Sequence, residues 1–274
     1  MKKVLFNLLE STRSFLYKLF AGKGIGRKFP ILWRIYDLLY RAFAPQKIFF
    51  HEMEGSKFLV DLAEKNYHMR KIMEGYTTIK THEPETTALF KRTLRAGDTV
   101  LDIGASIGYF TFLAAKCVGP RGRVYAFEPT EANFKYLCEN RLANSAHNVS
   151  PFKLAAWDKN EPIKAPVSEY QSFISIWTNG IVLDDFLPQQ GVRKVDFIKI
   201  DVDGAEPWVL RGLLNTFKNN QGLKMVIEYY PKYIEGSGGS PQEVMDILNS
   251  YFVCKPIEND YGDGYWNLYC ERKP

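Results

Sequence analysis

One stretch limits what this chain can fold into more than any other: Val100-Leu-Asp-Ile-Gly-Ala-Ser-Ile-Gly-Tyr-Phe110. A short apolar run carries Asp102, glycines fall at 104 and 108, and an apolar helical pattern follows. This is the pattern of a buried strand, a tight turn and the start of a crossover helix. Glycine has no Cβ and accepts positive φ, so Gly104 and Gly108 permit a sharp turn and a close backbone approach. A dinucleotide turn would read Gly-x-Gly-x-x-Gly, its amides aimed at a pyrophosphate. Here the turn is Gly104-Ala105-Ser106-Ile107-Gly108, with Asp102 just before it. A carboxylate at that point repels a pyrophosphate and suits a ligand carrying an ammonium group and a sulfonium. S-adenosylmethionine (SAM) is therefore expected over a nicotinamide dinucleotide, with Tyr109 opening the helix beside it.

Acids recur at the ends of the later apolar runs. Val124-Tyr-Ala-Phe127 leads into Glu128-Pro129, about 20 residues past the turn, where doubly wound folds place the acid that binds ribose hydroxyls. A third strand is expected over residues 149 to 155, its end at Ala156-Trp157 lying beside the base. Val195-Asp-Phe-Ile-Lys-Ile200 reads as the fourth strand, next to the first at the point where the strand order reverses. It is followed by Asp201, Asp203 and Glu206. Asp201 is the first candidate at the reacting centre. Asp203 and Glu206 have a competing reading as caps of the helix expected from Glu206 to about Phe217. The fifth strand, from Met225, ends in a further candidate, Glu228.

Elsewhere the chain is less explicit. His82 to Leu94 reads as a capped helix, with Glu85 and His82 near the mouth of the site. Residues 159 to 190 show no strong periodicity, and a long segment of that kind in an α/β domain is expected to act as a lid or substrate loop. After a glycine-rich break at 236 to 241 and a helix to Ser250, two runs around Asn259 to Gly264 suggest a terminal antiparallel strand pair.

Charge separates the N-terminal arm from the rest. The net charge is +5, yet residues 1 to 50 hold ten Lys/Arg against two Asp/Glu, so the other 224 residues sum to −3. A nucleic-acid enzyme is expected to surround its catalytic domain with positive charge, so no nucleic-acid partner is expected. The arm, residues 1–46, reads as two short basic amphipathic helices, the second carrying Trp33, Tyr36 and Tyr40. This composition suits an anionic membrane surface; packing on the catalytic domain or across a dimer is the competing reading. Charges interrupt each apolar run well short of the roughly 20 residues a membrane span needs. A cytoplasmic location, peripheral on the membrane face, is expected. The four cysteines show no metal-like spacing and read as reduced packing residues.

Residues 82 to 230, and more loosely the chain to its end, resemble the FkbM family of class I SAM-dependent methyltransferases. The resemblance rests on Leu101 to Thr111, Phe127-Glu-Pro129, Leu183-Asp-Asp-Phe-Leu187 and Ile198 to Glu206. Asp203 departs from it, since the family often has glutamate there. The resemblance implies methyl transfer to a hydroxyl, often on a sugar, glycolipid or polyketide, and so a small-molecule or lipid-linked acceptor. The expected fold is α/β: a doubly wound, mainly parallel, seven-stranded Rossmann-like sheet with a terminal antiparallel hairpin. The expected organisation is a helical arm (1–46), a connecting region (47–81) and a methyltransferase domain (82–274). The expected cofactor site comprises Asp102, Gly104, Ala105, Ser106, Gly108, Tyr109, Glu128, Pro129, Ala156, Trp157 and Asp201. A divalent metal on the acids is the lesser reading. Competing functions are a nicotinamide oxidoreductase, an RNA methyltransferase and a non-catalytic membrane scaffold. Oligomeric state is open.

Overall fold

A computed structural model describes residues 48–61, 81–169, 172–257 and 266–274. The N-terminal arm lies outside the described residues, as does most of the connecting region. The chain divides into two units, residues 1–51 with 59–79 and residues 52–58 with 80–274. A hairpin of β1 (Ile48–Met53) and β2 (Ser56–Asp61) comes first.

The elements that follow are α1 (Pro84–Thr93), β3 (Thr99–Ile103), α2 (Tyr109–Val118), β4 (Arg123–Phe127), α3 (Glu131–Ala143), β5 (Val149–Phe152) and β6 (Ala155–Trp157). Then come β7 (Pro162–Glu169), β8 (Ser172–Val182), α4 (Leu183–Gln189), β9 (Phe197–Ile200), α5 (Glu206–Arg211), α6 (Leu214–Asn219) and β10 (Lys224–Tyr229). The chain ends through α7 (Pro231–Gly236), α8 (Pro241–Tyr251), β11 (Phe252–Pro256) and β12 (Trp266–Arg272).

Seven strands form one sheet in the order β11-β12-β10-β9-β3-β4-β5. β3 pairs in parallel with β4 and β9, whereas β12 is antiparallel to both β10 and β11. The sheet is the doubly wound, terminally antiparallel one expected from the sequence. Strand order reverses between β3 and β9, which opens a crevice at their carboxyl ends.

Alternation assigns the two faces. Leu101, Ile103, Ile198, Ile200, Met225 and Ile227 point into a core with Val209, Leu213, Phe217, Val244 and Leu248 from the helices after β9. On the other face, Phe90 of α1 meets Phe110 of α2 and Phe197 of β9 at ring separations of 4.9 and 4.8 Å. Into this second face β3 and β9 insert Asp102 and Lys199, which are opposite each other in register.

Four expectations need correction. The third strand is two: β5 stays in the main sheet, while β6 leaves it and pairs with β8. The described residues between 159 and 190 are mostly regular rather than an irregular loop: β7 pairs antiparallel with β8, and α4 follows. Ile163 and Ala165 alternate inward between the exposed Pro162 and Lys164, a pattern too short and too proline-interrupted to stand out. The helix from Glu206 is broken into α5 and α6 at Gly212, where an added Cβ would meet the Trp157 carbonyl at 2.2 Å. Finally, the cysteines are not all reduced. Cys254 and Cys270 lie directly opposite one another on β11 and β12 and form a disulfide, while Cys117 and Cys138 are free.

Candidate active site

The turn after β3 is held by its own amides. Gly104 and Ala105 donate to the Phe127 carbonyl at 2.9 and 3.0 Å, Gly108 donates to the Ala105 carbonyl, and Ser106 donates to Glu128 Oε2 at 2.9 Å. Buried Asn140 of α3 secures the turn from behind by donating to the Ile107 carbonyl. The amides of residues 104, 105, 106 and 108 are thus spent inside the turn. Gly104 has φ +84°, and a Cβ on it would lie 1.7 Å from the Asp201 carbonyl oxygen. The glycine is required by the close approach of two protein backbones, β3 and the end of β9. Ser106 and Asp203 also have positive φ, 51° and 53°. Such strain gathers where a site over-determines its backbone.

Charged groups converge at this crevice. Lys199 is 3% exposed, and its ammonium lies 2.6 Å from Asp201 Oδ2 and over the Phe110 ring at 4.7 Å. Burial opposes its charge, but Asp201, Glu83 and Asp102 overcome burial and raise its pKa above the ordinary lysine value. Asp102 is 2% exposed. Its Oδ2 accepts from the Thr111 hydroxyl, while Oδ1 is buried without a partner. Burial raises the pKa of Asp102, against the opposing pull of Lys199 and Thr111. Asp201 keeps a side chain 30% exposed.

Glu128 is buried at the end of β4. Besides Ser106, the Thr130 amide donates to its Oε1 at 2.8 Å, with the Asn133 amide group at 3.4 Å. Burial raises its pKa in spite of these donors. Each carboxylate oxygen has two lone pairs, so capacity for a ligand hydroxyl remains.

The structure brings Asp102, Gly104, Ala105, Ser106, Gly108, Glu128 and Asp201 together at three neighbouring strand ends. Pro129 follows Glu128 directly, and Asp203 occupies the turn after β9. Glu206 is 1% exposed and accepts from the Gly204 amide, so it anchors that turn. Burial, with Asp203 and Asp201 nearby, pushes its pKa up to about 8. Glu228 lies farther along the sheet, opposite Asn267 in the β10–β12 register. Trp157 stacks on Trp208 at 4.8 Å and packs with Ala205 beside the Asp203 turn, and Ala156 is buried in the main core. The Tyr109 ring is buried, and its hydroxyl accepts from the His82 amide and meets Thr87.

Sequence reasoning missed two members of the cluster. Lys199 was hidden in an apolar run, although a lysine within a strand buried on both faces is itself a signal. Glu83 precedes α1 at φ +41°, and its carboxylate accepts from Asn267 at 2.8 Å and meets His82 at 3.3 Å. Burial raises its pKa, but His82, Lys199 and Asn267 outweigh burial and lower it overall. Among the described residues, no three His, Cys, Asp or Glu side chains are grouped to hold a metal ion. None of the helices among them is long and apolar enough to cross a membrane.

Two curated relatives share short segments with this chain. One is the tRNA(Phe) (4-demethylwyosine(37)-C(7)) aminocarboxypropyltransferase of Methanocaldococcus jannaschii, 44% identical over 54 residues, or 20% of this chain and 21% of that protein. The other is the 23S rRNA (uracil(1939)-C(5))-methyltransferase of Acinetobacter baylyi, 39% identical over 56 residues, or 20% and 12%. The matches thus span about a fifth and an eighth of those relatives. Among solved structures, M. jannaschii TYW2 in complex with AdoMet is similar at a TM-score of 0.47 and 18% identity, over 84% of this chain and 89% of that one. Methyltransferase FkbM from Methylobacillus flagellatus is similar at a TM-score of 0.47 and 18% identity, over 76% and 55%. The family model of the methyltransferase FkbM domain matches residues 102–256, more than half of the sequence, and the chain belongs to that family.

Proposed function

We propose that this chain transfers the methyl group of SAM to a hydroxyl oxygen, on a sugar, a glycolipid or a related small or lipid-linked acceptor. The observation that carries the reading is the adjacency of Glu128, the Asp102–Gly108 turn and Asp201 at the ends of β4, β3 and β9. The residues fit the cofactor. The unpartnered buried Oδ1 of Asp102 suits an ammonium group and would repel a pyrophosphate, and Glu128 suits a ribose diol. In this reading Gly104, Ala105, Ser106, Gly108 and Tyr109 line the methionine portion, Pro129 borders the ribose, and Ala156 and Trp157 lie on the side of the base.

When bound, SAM supplies an electrophilic methyl group. The protein then has to hold the acceptor hydroxyl in line with it, and positioning of that kind supplies much of a methyl transfer's acceleration. In this reading Asp201 accepts the hydroxyl proton, supported by the Lys199 ammonium on one of its oxygens. Asp203, Glu206 and Glu228 shape the acceptor side. The test is incorporation of labelled methyl from SAM into a panel of sugars and lipid-linked glycans. Asp201→Asn is expected to lower kcat by about 10²–10⁴ while affinity for S-adenosylhomocysteine is retained, and unchanged kcat would contradict the assignment.

A second reading, transfer to RNA, is favoured by one observation: both curated relatives are named for RNA substrates. The net charge of −3 outside residues 1–50 opposes it. Methyl incorporation into RNA and none into glycans would reverse the order of the two readings. The basic arm extends the proposal to peripheral association with an anionic membrane, with salt-sensitive binding to anionic vesicles expected. Equal binding to neutral vesicles would refute the electrostatic attraction.

A further inference from the structure

We propose that Thr111 is a positioning residue of the donor site: its hydroxyl holds one oxygen of Asp102 so that the other is kept for the ammonium group of the cofactor. The proposal rests on the reading of this site as a SAM site.

Thr111 lies in the first turn of α2 and is fully buried. A helical threonine can spend its hydroxyl on the carbonyl four residues back. Here that carbonyl belongs to Ile107 and accepts from Asn140 at 2.9 Å, while the Thr111 hydroxyl crosses to β3 and donates to Asp102 Oδ2. Among the described residues it is the one hydrogen-bond donor to Asp102. The Lys199 ammonium, opposite Asp102 in register, is engaged by Asp201 at 2.6 Å. A tie that served only to hold α2 on β3 would not need a carboxylate. A buried acid is costly, and half of this one is left bare, since Oδ1 is buried without a partner. The Thr111–Asp102 pair is thus half of a site, and a cationic group on the ligand completes it.

The hydroxyl serves that ligand in two ways. By holding Oδ2 it stops the carboxylate from turning about its own axis, so Oδ1 keeps one direction. It also favours the charged form: burial raises the pKa of Asp102, and Lys199 and Thr111 pull against burial. Without the hydroxyl both oxygens lack a donor, the acid holds its proton more firmly, and its attraction for an ammonium group falls. Glu128, which serves the ribose in this reading, is held by Ser106 and Thr130 and does not depend on Thr111.

The experiment is calorimetric titration of the full-length protein with S-adenosylhomocysteine and with 5′-methylthioadenosine, which keeps the adenosine and the thioether but lacks the amino-acid end. The wild type is expected to bind S-adenosylhomocysteine at least about tenfold more tightly. Thr111→Val, which keeps the branched shape, is expected to weaken S-adenosylhomocysteine about five- to tenfold and 5′-methylthioadenosine less than about twofold. Thr111→Ser, which keeps the hydroxyl, is expected to retain the wild-type preference. In an Asp102→Ala background, Thr111→Val is expected to change S-adenosylhomocysteine binding less than about twofold, because the hydroxyl then has nothing to hold. Equal weakening of both ligands by Thr111→Val, or no weakening, would reduce Thr111 to a packing residue and overturn the proposal, as would loss of the preference in Thr111→Ser. Parity of the two ligands in the wild type would overturn it whether or not the variants fold. A wild type that binds neither ligand would overturn the SAM reading with it.

Discussion

Replacing Gly104 with alanine tests the claim that the turn after β3 is built against the end of β9. The new Cβ would stand 1.7 Å from the Asp201 carbonyl oxygen and 2.8 Å from its carbonyl carbon. Ordinary contact begins at 3.4 Å, so the two backbones would have to separate by well over an ångström. They are tied together by the Asp201 amide on the Ile103 carbonyl at 3.0 Å and by the β3–β9 ladder, so neither can yield alone. Overpacking costs about 1–3 kcal/mol, and a positive φ on a residue with a Cβ adds about 1–2 kcal/mol. A loss of about 3 kcal/mol lowers Tm by roughly 6–12 °C in a domain of this size. Gly97 is the control: its φ is +95°, but nothing lies within 4 Å of an added Cβ, so Gly97→Ala carries the backbone term alone. Urea and thermal melts of both variants, followed by titration with S-adenosylhomocysteine, separate the two effects. Gly104→Ala should be the less stable by about 2 kcal/mol and should lose at least about tenfold in affinity as Asp201 is displaced. Variants within about 0.5 kcal/mol of each other would refute the reasoning.

Two further predictions concern the buried charges. Lys199→Met removes the ammonium that Asp201, Asp102 and Glu83 share, and chemical denaturation should register a loss of about 3–5 kcal/mol. The same variant with wild-type stability would mean that the cluster is solvated. Glu206 binds its proton more tightly in the native state, at about 8, than in the unfolded chain, at 4.5. Between those values the unfolded state is the one that has lost the proton, so stability should fall as pH rises through that window. Glu206→Gln should flatten the fall, and urea melts at several pH values across the window check it.

What could be read from the residues was what local chemistry dictates. Glycines at 104 and 108 have one economical explanation, and an acid at the end of a buried run, as at Asp102, Glu128 and Asp201, is too costly to be incidental. The purpose of Gly104 was less visible, because the atom it avoids belongs to a residue 97 positions away. Lys199 is a charge inside an apolar run in the sequence, and only the β3–β9 register sets it opposite Asp102. Glu83 depends on where α1 meets β12, and the Cys254–Cys270 disulfide on the register of the last two strands. The β7–β8 pairing leaves little trace in the sequence, because only a few inward positions, such as Ile163 and Ala165, carry its alternation. Spacing within an element is legible in a sequence; pairing between distant elements is not.

The measurement that bears most directly on the central claim is calorimetric titration of the full-length protein with S-adenosylhomocysteine, beside Asp102→Ala and Glu128→Ala. The account predicts saturable binding by the wild type and at least about a tenfold loss in each variant, since each removes a charged partner with no substitute. A folded wild type that binds nothing, or variants that bind as the wild type does, would contradict it.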